Sequence, residues 1–286
     1  MEHYFSPAKV NFFLRITGKR SDGYHELISL MSPVSLKDTI SIDFNSNQIG
    51  VICDHPQVPN DHTNIAYQAA RLFFQTTGIK SGVKIRIHKC IPVGGGLGGG
   101  SSNAATVLMA LNHQYQLILS NSQLQKIALS LGADVPFFLQ QTTALVSGIG
   151  DVLTPLNLYI HYPILIVYPN FSVSTSWAFK NLNLQLTNGK IDAIKSNLIL
   201  RYQSDSVDWL NDIHNDLEQV TLKQHPELQI IKKQLLELGA VTSIMSGSGS
   251  CIIGIFTTVH DCQNASEILS NYASQHVYSC QVLNKK

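Results

Sequence analysis

Six glycines fall within seven positions, Gly94-Gly95-Gly96-Leu97-Gly98-Gly99-Gly100, framed by Pro92-Val93 and Ser101-Ser102. With no Cβ in the way, a ligand can approach such a backbone closely. Successive N–H groups can turn inward as an anion nest. A helix N-terminus behind them adds partial positive charge. This is the chemistry of a phosphate site, and two common forms of it fail here. The dinucleotide pattern G-x-G-x-x-G is met trivially by Gly94, Gly96 and Gly99, yet no Asp or Glu occurs from Ser101 to Ala133 to hold a ribose. Aligned from Gly95 to Gly100, the Walker pattern finds Ser101 where it needs lysine.

One further side chain suits phosphoryl transfer, and the other polar candidates have ordinary readings on sequence alone. Asp134, in Gly132-Ala133-Asp134-Val135-Pro136, could orient an attacking hydroxyl and take its proton. It could equally cap a short helix begun by Pro136. Lys9 and Asn11 share one side of a strand, which also describes a solvent-exposed pair. Tyr24-His25 follows the turn Ser21-Asp22-Gly23 and could be core packing. Asn64 suits a helix cap, and Lys89 stands just ahead of the glycine loop.

The elements that must carry these residues follow from periodicity. Ala8, Val10, Phe12, Leu14 and Ile16 alternate as in a half-buried strand, with Lys9 and Asn11 on the opposite face. Ile65, Ala69, Leu72 and Phe73 predict a helix from Asn64 to Thr77, stopped by Gly78. Val83–His88 alternates as a strand leading into the loop. Beyond the loop, Ser101 or Ser102 is expected to cap a helix containing Ala104, Ala105, Leu108 and Leu111. Ser122-x-x-Gln125 reads as a capping box for the next helix, ended by Gly132. Strands are expected at 144–146, 163–169, 241–245, 251–256 and 277–283, and helices near 208–223, 226–238 and 261–273. Strands and helices mix without a regular βα repeat. The sequence therefore predicts α+β in two domains, 1–155 and 156–286.

Composition narrows the function classes. The 286 residues are 44% hydrophobic and 14% charged with net charge +1, a globular balance without the basic face of a nucleic-acid or membrane-surface protein. Five cysteines, none in a C-x-x-C pair, predict reduced, mostly buried thiols. The eleven histidines show no zinc-ligand spacing. Met1-Glu2-His3-Tyr4 lacks the basic start of a leader, and no run is long enough for a membrane span, so a cytoplasmic protein is expected.

The loop resembles the P-x-G-x-G-L-G-x-S-S signature of the GHMP kinase superfamily, in its glycine-rich form. Ser6-Pro7-Ala8-Lys9-Val10-Asn11, Arg20-x-Asp22-Gly23-Tyr24-His25, Leu131-Gly132-Ala133-Asp134-Val135-Pro136 and Ser246-Gly247-Ser248-Gly249 resemble further motifs of the same branch, in order. The resemblance implies an N-terminal domain like ribosomal protein S5 domain 2 and a C-terminal ferredoxin-like domain. It implies an ATP- and Mg²⁺-dependent kinase phosphorylating a cytidine diphosphate sugar alcohol for isoprenoid precursors, acting as a monomer or weak homodimer. Asp134 would be the base and Lys9 its partner. Pro92 through Ser102, with Asn64 and Lys89, would hold ATP. Asn11, Tyr24, His25, Thr175 and Phe179 would hold substrate, with Trp177 competing with Phe179 for one face of the cytosine. No residue of the chain stands out as a metal ligand, so Mg²⁺ is expected on the ATP phosphates. A homoserine- or mevalonate-type kinase and a non-catalytic nucleotide sensor are the alternatives.

Overall fold

The computed structural model describes residues 1–182, 197–199, 201–202 and 209–284. The chain forms two compact units: Met1–Ala8, Leu36–Val93 and Gly98–Gln141 make the first, and Lys9–Ser35, Gly94–Leu97 and Thr142–Lys286 the second. The division expected near residue 155 runs along the sequence, whereas these units interleave. Strands β1 (Glu2–Lys19) and β2 (His25–Ser46) contribute residues to each.

In the first unit, the C-terminal half of β2 pairs antiparallel with β4 (Gly82–His88), in register from Thr39↔His88 to Asp43↔Lys84. Strand β3 (Gly50–Cys53) adds to β4 in parallel. Helix α1 (Ile65–Thr77) starts and stops as its sequence predicts. Asn64 Oδ1 accepts the Ala66 N–H, and Gly78, left-handed at φ 70°, donates to the Phe74 carbonyl. Helix α2 (Gly99–Gln114) packs on α1, α3 (Asn121–Leu131) and α4 (Val135–Gln140), so residues such as Ala104, Ala105, Val107 and Leu108 are buried on several sides at once.

Two expected caps are corrected. Helix α2 is capped by Gly98 at φ 70° with no side-chain bond, because the glycine loop runs straight into the helix and leaves Ser101 and Ser102 inside its first turn. The capping box of α3 is Ser120 with Gln123 instead of Ser122 with Gln125.

In the second unit, the N-terminal half of β2 pairs antiparallel with β5 (Ala144–Gly148), which pairs with β6 (Val152–Pro155). A separate four-stranded antiparallel sheet has the order β11-β7-β10-β9, from β7 (Ile164–Tyr168), β9 (Thr242–Met245), β10 (Ile252–Ile255) and β11 (His276–Cys280). Helices α6 (Glu218–Gln224) and α7 (Glu227–Glu237) fall between its first and second strands, and α8 (Val259–Ser270) between its third and fourth. This is the expected ferredoxin-like βαββαβ arrangement. Leu165, Val167, Leu235, Met245, Ile252, Phe256 and Leu269 build its core, together with Leu14 and Ile16 of β1.

Two further expectations are corrected. Strand β1 is not half-buried: Ser6 to Leu14 is buried continuously, so Lys9 and Asn11 are interior residues. The single helix expected near 208–223 is instead a 3₁₀ turn (Trp209–Asp212), a two-residue strand β8 (His214–Asn215) and α6, with residue 208 outside the described residues. Asn215 and Asp216 turn their side chains onto backbone N–H groups of Leu217 and Ile16, an alternative to helical bonding. The cysteines are free and mostly buried, as expected, with Cys90 exposed. No helix among the described residues is long and apolar enough to cross a membrane.

Candidate active site

Lys9 is 3% exposed and Asn11 2% exposed. The Lys9 Nζ donates to Asn11 Oδ1 at 2.6 Å and to the Gly96 carbonyl at 2.8 Å. Asn11 Nδ2 donates to Ser29 Oγ at 2.8 Å, and Ser29 in turn donates to the Phe13 carbonyl at 2.6 Å. The ammonium is thus set in place by groups on both sides of β1 residues, and the outward-facing pair is excluded.

The second glycine turn, Ser246–Ser250, lies against the same residues. Ser246 Oγ donates to the Gly96 carbonyl at 3.1 Å, and the Cys251 N–H donates to the Gly95 carbonyl at 3.1 Å. Gly247 has φ 56°, and a Cβ there would stand 3.3 Å from Lys9 Nζ and 3.4 Å from Asn11 Oδ1. A Cβ on Gly96 would meet the Ser246 carbonyl oxygen at 2.1 Å, so this glycine is required by packing. The Val173 N–H donates to the Gly94 carbonyl at 3.3 Å. Gly94 through Leu97 is therefore held by β1, by 172–173 and by 246–251 within one unit.

Nearby in the same unit, His25 and Phe179 stack at 5.3 Å between centroids. Phe179 lies on α5 (Thr175–Asn181), capped by Ser174. Thr175 Oγ1 and Ser248 Oγ are hydrogen-bonded at 2.9 Å. Trp177 instead meets His225 edge-on. Burial, then the nearby Lys19 charge, push the His25 pKa below its usual 6.5, so its ring is neutral at pH 7. Tyr24 is exposed.

In the first unit, a fully buried carboxylate that sequence reasoning missed ties the glycine loop's flanks together. Asp38 Oδ1 accepts the backbone N–H groups of Cys90 and Ile91 at 2.8 and 2.9 Å. Its Oδ2 accepts Lys89 Nζ at 2.5 Å and Asn103 Nδ2 at 2.8 Å. Asn103 Nδ2 also donates to Ser6 Oγ at 2.9 Å, and Ser6 donates to Ser102 Oγ at 2.8 Å. The strand end before the loop and the first turn of α2 after it thus share one anionic anchor. Lys89, expected beside nucleotide, has a side chain only 4% exposed and turned to this anchor. Asn64 spends its amide on capping α1 and on the Pro59 carbonyl at 2.8 Å.

Gly94, Gly96 and Gly98 have φ 70°, 79° and 70°, and the α2 N-terminus carries no side-chain cap. Backbone of this kind suits a polyphosphate. Asp134 stands at the α4 N-cap position with no capping bond from its side chain, so its carboxylate is not a structural cap. Among the described residues no three His, Cys, Asp or Glu side chains converge as a metal cluster.

Residues 64–142 match the family of GHMP kinases N terminal domains, and residues 194–275 the GHMP kinases C terminal family. A protein of Syntrophotalea carbinolica named 4-diphosphocytidyl-2-C-methyl-D-erythritol kinase is 43% identical over 286 residues, covering 99% of this chain and 100% of that relative. One of the same name from Thermodesulfovibrio yellowstonii is 41% identical over 270 residues, covering 93% of each. The crystal structure of a 4-(cytidine 5'-diphospho)-2C-methyl-D-erythritol kinase superposes with TM-score 0.79 at 32% identity, covering 98% of this chain and 99% of that one. A homoserine kinase from Cytophaga hutchinsonii superposes with TM-score 0.77 at 19% identity, covering 98% and 94%, which is a likeness of fold.

Proposed function

Because the chain belongs to the 4-diphosphocytidyl-2-C-methyl-D-erythritol kinases of the GHMP family, we propose that it transfers the γ-phosphoryl group of ATP to the 2-hydroxyl of 4-diphosphocytidyl-2-C-methyl-D-erythritol, in the non-mevalonate route to isoprenoid precursors. The observation that carries this is 43% identity across essentially the whole of a kinase so named.

The residues take the following parts. Asp134 accepts the proton of the 2-hydroxyl as its oxygen bonds to the γ-phosphorus and the bond to the β–γ bridging oxygen breaks, releasing ADP. A carboxylate not spent on capping α4 supports that part. Lys9 is its partner, and the fixed ammonium favours the ionised base and the developing negative charge. Pro92 through Ser102 bind the phosphates through the positive-φ glycines and the α2 N-terminus. Asn64 and Lys89 serve the nucleotide side, Lys89 by way of the Asp38 anchor. Mg²⁺ would arrive with ATP and would supply charge neutralisation at the phosphates, with no side chain of this chain assigned as its ligand. Tyr24, His25 and Phe179 hold the cytosine, with Asn11 and Thr175 toward the sugar alcohol. The stacking of Phe179 on His25 favours Phe179 over Trp177 for that role.

The test is ADP release by the purified protein with Mg²⁺-ATP and each of three acceptors. Turnover is expected with the cytidyl sugar alcohol and not with homoserine or mevalonate. ADP formed with homoserine alone would overturn the substrate.

A further inference from the structure

We infer that Asn215 is a positioning residue for the phosphoryl transfer, acting through the Ser246–Ser250 turn on Lys9, an inference that rests on the part assigned to Lys9 above. Asn215 is 4% exposed and belongs to none of the motifs singled out in the sequence. Strand β8, only two residues long, pairs in parallel with β1 and sets Asn215 opposite Leu14. The Asp216 N–H donates to the Leu14 carbonyl at 3.0 Å, and Asp216 Oδ2 accepts the Ile16 N–H at 2.7 Å, which fixes this register.

From that position one amide grips the glycine turn. Asn215 Nδ2 donates to the Met245 carbonyl at 2.7 Å and to the Gly247 carbonyl at 2.8 Å, while Oδ1 accepts the Leu217 N–H at 2.9 Å. Two neighbours reinforce it. Glu218 Oε1 accepts the Met245 N–H at 2.8 Å, and Thr221 Oγ1 donates to the Ser248 carbonyl at 3.2 Å. The turn therefore hangs from the 215–221 segment at Met245, Gly247 and Ser248. Gly247 is also the residue whose Cβ position lies 3.3 Å from Lys9 Nζ, and Ser246 reaches the same Gly96 carbonyl that Lys9 binds. Any slip of the turn moves the surface on which the ammonium rests. No other side chain reproduces this grip. Aspartate has no donors to offer two carbonyls, serine has one, and glutamine is a methylene too long.

Misplacement by about 1 Å in a reacting constellation can cost about 100-fold in rate. Asn215→Ser is therefore expected to lower kcat at least about tenfold, with the KM for the cytidyl substrate within about threefold of wild type. In a Lys9→Met background the same substitution is expected to cost less than about threefold more, because its effect runs through Lys9. A merely structural role would multiply through unchanged. Should Asn215→Ser not fold, Thr221→Val removes one grip while conserving shape, and a fall in kcat of at least about threefold with KM retained is expected. The inference is overturned if the folded variant keeps kcat within about twofold, or if its effect multiplies fully in Lys9→Met. Lys9→Met turning over normally would instead refute the part given to Lys9, so the two failures are told apart by the single variants.

Discussion

Asp38 is the residue whose replacement should be most costly outside the reacting groups. Its carboxylate is fully buried and accepts four hydrogen bonds, one from a lysine whose side chain is only 4% exposed. Asp38→Asn keeps the shape but turns one acceptor into an NH₂ group. In one orientation that group faces the Lys89 ammonium and the Asn103 amide, and in the other it faces the N–H groups of Cys90 and Ile91. Donors meet donors either way, and the lysine keeps a buried charge without its counter-ion. Breaking one side of a buried pair costs about 3–5 kcal/mol. At about 2–4 °C per kcal/mol, thermal unfolding followed by circular dichroism should shift down by roughly 6–20 °C. Lys89→Met in the same chain removes the stranded charge and should restore at least about 1 kcal/mol, roughly 2–4 °C. ATP affinity by calorimetry should fall in Asp38→Asn, since both flanks of the glycine loop lose their common anchor. A single variant melting within about 2 °C of wild type would refute the reasoning.

Three further outcomes are expected. Asp134→Asn should reduce kcat at least about 100-fold while ATP and substrate affinities stay within a few-fold of wild type; near-normal turnover would remove the base role. Gly99→Val should weaken ATP binding in calorimetry, since its Cβ would stand 2.9 Å from Lys89 Nζ and 3.0 Å from Ile91 Cγ2, whereas Gly100→Ala, with Ile65 Cγ2 at 3.7 Å, should bind ATP normally; equal affinities would count against the loop. His25 titrates below its usual 6.5, so the unfolded chain takes up that proton first and stability falls as pH drops through the window between the two values. The KM for the cytidyl substrate should be flat above neutrality and rise on acidification below that usual value, and in His25→Phe the rise should vanish.

Local pattern decided what could be read beforehand. The glycine loop, the Asn64 and Gly78 ends of α1, and the strands around Ser246–Ser250 are written in contiguous residues, and the structure shows those elements. Strand β2 was not legible as one element because its first half, Ile28–Val34, is buried on both faces and shows no alternation. The α3 cap was misplaced because Ser-x-x-Gln occurs twice, from Ser120 and from Ser122, and only the first meets the helix start. Asp38 and Asn215 carry no sequence signal at all. Each is a polar residue in an ordinary context, made significant by partners 30 to 65 positions away. Only the burial of Lys9 distinguishes it from a solvent-facing strand lysine, and burial of both faces of β1 depends on elements made much later in the chain.

That dependence has a consequence for how the protein is made. The Ile16 N–H waits for a carboxylate 200 residues further on. At about 5–20 residues/s, that partner leaves the ribosome roughly 10–40 s after it. A nascent chain ending at Gln141 holds every residue of the first unit, yet the whole Lys9–Ser35 segment still lacks its companions from Thr142 onward. Val10, Phe12, Leu14 and Ile16 lie on that segment, a run of strand-forming apolar residues. Such a stretch is a template for wrong pairing until those companions are made. The second unit, with Lys9 in it, is therefore completed only once the chain through β11 has been made, and no single cut in the sequence separates the residues of the two units.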